Sequence, residues 1–347
     1  MQLIRDRACA RAGLVGNPSD GYHGRTISVA LENFQAETIL YEWDRVEVLL
    51  SQEDQSRFDS IYELADDVRL HGYYGGVRLV KATIKVFVEY CRREGVALHD
   101  RNFAIRYTSN IPRQVGLAGS SAIIVATLRA LMEFYGIEIP REVQPSLVLS
   151  VETGELGITA GLQDRVIQVY GGLVAMDFGN DTIESCEGFE CGEYRRLDPL
   201  LLPRLYVAYS RDAGEPTEVF HNRLRERFDQ GESQVIEAME RFAELTSEGI
   251  QALTDGDTQR LHQMMDANYD TRASICRLPA EHVAMVEAAR SVGASAKFAG
   301  SGGAIVGHCH DEAMCERLEQ VLAPLGCRVI TPTIAPPEDA GGRQGRR

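Results

Sequence analysis

No stretch of this 347-residue chain is apolar for long enough to cross a bilayer, which takes roughly 20 residues. Its first residues, Met1-Gln-Leu-Ile-Arg-Asp-Arg, lack the apolar core and cleavage site of a secretory signal. Positive charge is scarce: 36 Lys and Arg against 51 Asp and Glu give a formal net charge of −15. That balance argues against a general nucleic-acid binder, which needs a basic face. It leaves room for an anionic substrate held by a local arginine cluster. The eight cysteines are scattered, with no Cys-x-x-Cys pair. A reduced, cytoplasmic protein is therefore expected rather than a disulfide scaffold or a zinc module. Neither the Walker pattern nor the dinucleotide fingerprint Gly-x-Gly-x-x-Gly occurs. Composition is otherwise ordinary for a soluble protein, 44% hydrophobic and 25% charged, and the length suits two domains.

What the chain does have is a glycine- and serine-rich loop, Asn110 to Ala122, set between two periodic segments. Before it, Phe103, Ile105 and Tyr107 alternate with smaller or polar residues as in a half-buried strand. After it, Ile124, Leu128, Leu131 and Tyr135 recur at helical spacing. Gly116 and Gly119 permit backbone angles closed to other residues. The unpaired amides of the first helical turn, aided by the helix dipole, can face an anion. Ser120 and Ser121 are suitable capping residues whose hydroxyls can reach phosphate or metal. Strand, loop and helix together read as a phosphate cradle, although many helices start after such a turn and bind nothing.

Two more segments carry unusual density. Lys297 to Ala304 places Gly300, Gly302 and Gly303 between short strands, suiting either close approach to a ligand or a tight hairpin. Arg11 to Arg25 gathers Asn17, Ser19, Asp20, His23 and Arg25 after a strand. Such clustered donors and acceptors fit a polyhydroxylated ligand, and Asn-Pro with Asp-Gly equally fits a polar surface turn. His308-Cys309-His310 hints at a metal. Adjacent strand residues face apart, however, and no second ligand cluster is visible, so the segment reads as a strand end.

Along the chain the pattern predicts strands at 8–14, 103–108, 205–210, 296–298, 304–309 and 327–331. Helices are expected at 75–92, from Ala122, at 145–155, 218–228, 234–254 and 258–276. Strands interleaved with helices indicate an α+β fold. The acidic, weakly periodic stretch 177–200 is the expected boundary, giving domains 1–185 and 186–335. A Pro-, Gly- and Arg-rich tail, 336–347, is expected to be disordered.

Taken in order, the three segments resemble the motifs of the GHMP kinase superfamily (galactokinase, homoserine kinase, mevalonate kinase and phosphomevalonate kinase). Arg11–Asp20 is similar to its first motif, Pro112–Ala122 to its second and Lys297–Gly303 to its glycine-rich third. Within that superfamily the wording of Gly16–Ser28, Asn110–Leu117, Ala160–Val166 and Lys297–Ala304 is most similar to the glucuronokinase family. The resemblance spans nearly the whole chain. It implies two α+β domains with the active site in the cleft between them, and ATP-dependent phosphorylation of D-glucuronate at its anomeric oxygen. Two departures stand out. Asn17-Pro18 replaces the Glu-His pair that galactokinases carry, which argues against galactose. Ala118 stands where many relatives have glycine.

The same resemblance implies roles. Pro112, Gly116, Leu117, Ala118, Gly119, Ser120 and Ser121, with Gly300, Gly302 and Gly303, would hold ATP. Ser121 and Glu152 would ligate Mg2+, a hard cation that takes oxygen ligands and keeps several waters. Asp164 would accept the hydroxyl proton, with Arg11 beside it stabilising charge on the attacking oxygen. Asn17, Ser19, Asp20, Arg25 and Arg113 would bind the sugar, and Arg25 or Arg113 would meet its carboxylate, since a guanidinium forks around that group. For adenine, Trp43, Tyr73 and Tyr74 are aromatic candidates. Two other functions compete: a GHMP kinase for another acceptor, such as a heptose phosphate, another uronic acid or a hexose, and a non-catalytic nucleotide- or sugar-binding regulator. Glu152 and Asp164 together disfavour the regulator.

Overall fold

A computed structural model describes residues 3–49, 75–211 and 218–338. Its first sheet grows from one long ribbon. Strands β1 (Leu3–Val15) and β2 (Arg25–Trp43) run antiparallel, with Leu3 opposite Tyr41 and Val15 opposite Ile27. A register shift between Cys9 and Ala10 marks a bulge, which bends and twists a ribbon of this length. Beyond Trp43 comes the short β3 (Glu47–Val48), which pairs parallel with β4 (Asn102–Ser109). The other end of β2 pairs with β5 (Leu173–Asp177). A small hairpin, β6 (Glu184–Cys186) and β7 (Phe189–Cys191), precedes β8 (Glu193–Leu197), which closes the far edge. The order is β3-β4-β2-β5-β8, with β1 paired to β2.

Helices cover this sheet for reasons visible in their side chains. In α1 (Gly76–Arg93), Leu79, Val80, Thr83, Val86, Phe87, Tyr90 and Cys91 recur at three- and four-residue spacing and are all buried. The next helix, α2 (Gly119–Tyr135), is packed by the sheet on one side and α1 on the other. It is therefore apolar nearly all round, from Ala122 to Phe134. It stops at Gly136, whose φ of 65° supplies the left-handed C-terminal cap. Two short helices follow, α3 (Gln144–Ser150) and α4 (Gln163–Tyr170). Between them Val151–Glu155 widens into a π-helical turn, a form that concentrates at functional sites.

The second half builds an antiparallel sheet around β9 (Leu205–Ser210). Strands β10 (Lys297–Phe298), β11 (Ala304–His308) and β12 (Cys327–Ile330) join it in the order β10-β11-β9-β12. Helices α5 (Glu218–Asp229), α6 (Ser233–Asp255), α7 (Thr258–Ile275), α8 (Ala280–Ser291) and α9 (Glu312–Leu322) surround it. The molecule is α+β, as its alternation of strands and helices leads one to expect.

Four features differ from the sequence reading. The strand β2 runs for 19 residues where no strand was expected. Polar Glu32, Asn33 and Gln35 interrupt its alternation just where the ribbon bulges. Helices α8 and α9 were also not foreseen. Strand β8 lies beyond the boundary expected at 185/186 yet belongs to the first sheet. Finally, Pro336 to Glu338, counted with the tail, are held in place. Pro337 bridges Gly171, and the Glu338 amide donates to Tyr170 O at 2.8 Å. The rest of the tail lies outside the described residues.

Candidate active site

Three distant segments meet at one arginine. Arg11 sits near the end of β1, 5% exposed. Its Nε donates to Asp164 Oδ1 at 2.6 Å and its Nη2 to Asp164 Oδ2 at 2.9 Å. This is the two-pronged geometry that makes an arginine–carboxylate pair both strong and directional. Its Nη1 donates to Gly116 O at 2.5 Å and to Ala299 O at 3.1 Å. One guanidinium thus ties the serine-rich loop, the late glycine hairpin and the start of α4 together. Asp164 retains 20% side-chain exposure, so its carboxylate is held and still reachable.

The glycines make this approach possible. A Cβ on Gly300 would run into Gly116 O and the Arg11 guanidinium, and one on Gly116 would lie 2.8 Å from Ser301 N. Gln114, Gly116 and Ala118 all take positive φ, at 57°, 71° and 62°. The loop therefore turns three times before α2 begins, leaving the first amides of that helix at its mouth. Ala118 adopts the left-handed conformation that a glycine holds without strain. Its carbonyl is fixed by Gln168 Nε2 at 2.8 Å.

The late segment is a hairpin and a loop contact at once: Ala299 N donates to Ala304 O, and Gly13 N donates to Ala299 O at 2.8 Å. Two buried cations hold it. Arg272 donates to Gly300 O at 2.7 Å and Ser301 O at 2.9 Å, and burial pushes its guanidinium down to about 10. Lys297, 1% exposed, donates to Gly13 O at 2.6 Å, Asn17 Oδ1 at 2.5 Å and Phe298 O at 2.8 Å. Desolvation holds its amine well below the ordinary lysine range.

Asp20 lies beside the Asp164 pair. Its Oδ2 accepts the Gln163 amide at 3.2 Å, at the start of α4. Burial first, then the Asp164 charge, raise its carboxyl to about 6, against the pull of that amide, Arg11 and Arg165. Two carboxylates in one site with one of them raised is a pattern common at reactive centres.

Comparison with known proteins gives the family. Residues 78–172 match the description "GHMP kinases N terminal domain". The chain is 45% identical over 315 residues to probable glucuronokinase 2 of Arabidopsis thaliana, covering 88% of this chain and 84% of that protein. It is 41% identical over 341 residues to glucuronokinase 1 of the same plant, covering 96% and 92%. The chain belongs to the GHMP kinases. Solved GHMP kinase structures share its fold. The galactokinase of Lactococcus lactis complexed with galactose, 15% identical, covers 96% of this chain and 94% of its own at a TM-score of 0.75. The mevalonate kinase of Methanococcus jannaschii, 17% identical, covers 96% and 98% at 0.71.

In this GHMP kinase the expected metal pair is arranged differently from the sequence reading. Glu152, 1% exposed on the π-helical turn, accepts Ser120 Oγ at 2.8 Å. Ser121 turns back to Ala118 O at 3.3 Å. The second oxygen of Glu152 accepts Arg165 Nε at 2.9 Å and also Arg165 Nη2. Arg165 reaches Asp164 Oδ2 at 3.5 Å as well, so it links both acids. A carboxylate with neighbouring hydroxyls is the hard oxygen set that magnesium selects, and these residues fit the ion.

The sugar-binding candidates divide. Asn17 and Ser19 are buried: Asn17 Oδ1 accepts from Lys297 Nζ, its backbone O accepts from Asn268 Nδ2, and Ser19 Oγ donates to Arg25 O at 3.0 Å. These contacts shape the first segment. Arg25 is not brought to Asp164. It stands opposite Asp177 across the β2–β5 pair and donates to it at 2.5 Å, with Ser247 at 3.2 Å. Arg113 lies exposed on the serine-rich loop, and Leu117 is buried beneath that loop. Trp43 is 44% exposed at the end of β2, edge-on to Tyr41, while Tyr73 and Tyr74 lie outside the described residues. Sequence reasoning missed Arg165, Arg272 and Lys297, since long cationic residues read as solvated by default. Lys297 and Arg165 lie inside segments already singled out, Lys297–Ala304 and Ala160–Val166, whereas Arg272 lies in none of them.

Proposed function

We propose that this GHMP kinase transfers the γ-phosphoryl group of ATP to the anomeric hydroxyl of a hexuronic acid, D-glucuronate first among them. The two-pronged Arg11–Asp164 pair, placed where the glycine loops converge, carries the reading. Identity of 41–45% to glucuronokinases over most of the chain supports the acceptor.

Phosphoryl transfer asks a protein chiefly for positioning and for neutralising charge. The amides of Gly116 to Ser121 at the start of α2 receive the phosphates, and Gly300 to Gly303 close over them. Glu152 with Ser120 and Ser121 would hold Mg2+, which when bound neutralises charge on the phosphate oxygens. Asp164 takes the proton of the acceptor hydroxyl. Arg11 fixes the direction of that carboxylate and stabilises negative charge on the oxygen it exposes. Asp20, at Gln163 N, accepts from a neighbouring sugar hydroxyl. Arg113 meets the uronate carboxylate, the one sugar-binding arginine of the sequence reading still placed on a ligand loop.

The test is release of ADP with D-glucuronate, D-glucose, D-galactose and a heptose phosphate, each at matched concentration. Preference for glucuronate by a factor of about 100 or more, the scale of a buried charge-assisted contact, is expected. Faster turnover with a neutral sugar or a heptose phosphate would overturn the acceptor assignment.

A further inference from the structure

The strand end His308–His310 gains a third imidazole from far along the chain. His308 closes β11 and His310 follows two residues later, so both fall on one face of the extended chain. Adjacent residues of that segment face apart, whereas residues two apart do not. The expected helix at 258–276, α7, brings His262 against the same face. One ligand atom from each of His262, His308 and His310 can be chosen so that all lie within 4.8 Å of one another. The rings of His308 and His310 are 4.6 Å apart, and His262 lies 5.8 Å from each.

Further observations point to a ligand. Nδ1 of His262 and Nδ1 of His308 are buried without a hydrogen-bond partner, an arrangement that is costly unless something binds them. His262 Nε2 lies 3.4 Å from Asp266 Oδ2. Asp266 is itself fixed through Oδ1 by the Ala296 amide at 3.0 Å and by Arg290 Nε at 3.2 Å. A carboxylate behind the far nitrogen of an imidazole is how metal-ligating histidines are commonly oriented. His308 is fixed from its backbone, its amide donating to Ser295 Oγ at 2.8 Å.

We propose that His262, His308 and His310 bind a transition-metal ion of the zinc class, with the fourth position left to water. Three imidazoles suit zinc, copper and nickel, whereas magnesium prefers oxygen. The site is therefore not a second berth for the kinase's own cation. From Gly303 to His308 the extended strand covers about 16 Å, too far for this ion to touch the phosphates. Its effect is structural: it pins α7 to the end of β11 in the second sheet.

The full chain, stripped with a chelator and dialysed, is titrated with Zn2+ while native mass spectrometry counts bound ions. The control is the double variant His262→Gln/His310→Gln, whose side chains are partly or fully exposed and whose fold circular dichroism checks. The wild type is expected to take up one zinc more than the variant, to keep it in millimolar Mg2+, and to unfold at a higher temperature with zinc, a shift the variant lacks. Both proteins are expected to turn over equally with Mg2+ and ATP. Equal zinc uptake by both proteins would overturn the site. So would a Co2+ derivative whose spectrum shows thiolate charge transfer, since that would place the ion on cysteine.

Discussion

At the scale of single residues, Asp164 is the group whose loss should matter most. Asp164→Asn keeps the size and one acceptor for Arg11 while removing the proton acceptor. A fall in kcat of about 10²- to 10⁴-fold is expected, with nucleotide affinity by calorimetry unchanged. Near-full turnover would contradict the base assignment. Ala118 offers a stability test. Its φ of 62° lies in the left-handed region, so Ala118→Gly relieves strain that exceeds glycine's entropic cost. A gain of about 0.5–1 kcal/mol in urea unfolding is expected. Asp20 offers a pH test. Its carboxyl is raised to about 6 in the folded protein, from an ordinary value of 3.8. Between those values the folded state binds more protons than the unfolded one, so stability conferred at low pH is lost as pH rises toward 6. Asp20→Asn, which keeps an acceptor for Gln163 N, should match the wild type below pH 4. It should be the more stable protein above pH 6, as thermal unfolding across that range would show.

At the scale of elements, the serine-rich loop with its flanking strand and helix was the most legible part of the chain. Phe103, Ile105 and Tyr107 alternate and are buried, and the apolar face of α2 meets the sheet, so local periodicity and tertiary environment agree. Strand β2 was hidden because its alternation breaks at the bulge. Helices α8 and α9 were missed although, at 12 and 11 residues, they match the 12 residues of α5, which was expected. The late hairpin was one of two readings of its segment, and its fastening was not foreseen. Arg272 holds Gly300 O and Ser301 O from α7, and nothing in helical periodicity distinguishes it from a surface arginine. Arg272→Ala is expected to destabilise the protein by about 2–4 kcal/mol, as two carbonyls lose charged donors. It should also raise the KM for ATP, because the hairpin would no longer be held against Gly116. An unaltered KM with lowered stability would confine Arg272 to folding.

At the scale of the whole molecule, the site is made by contacts that no window of sequence contains. Arg11 and Asp164 are 153 residues apart and Arg11 and Ala299 are 288 apart. Only the ordered resemblance of three motifs to a kinase family pointed to their meeting. Register decides the surroundings of Arg25, which resemblance could not show: it stands opposite Asp177 in the β2–β5 pair and donates to that carboxylate. On the proposed function it is Arg113 that distinguishes a uronate from a neutral sugar. Arg113→Ala should therefore raise the KM for glucuronate by tenfold or more while leaving the weak turnover of glucose unchanged. Equal losses on both sugars would remove the carboxylate role.

The central claim is that the acceptor is the anomeric hydroxyl beside Asp164. The most direct measurement is phosphorus and proton NMR of the product formed from D-glucuronate and ATP by the wild type. The account requires a single sugar phosphate whose phosphorus couples to the anomeric proton, absent when Asp164→Asn replaces the wild type. A phosphate on any other carbon, or ATP consumption without a sugar phosphate, would contradict it.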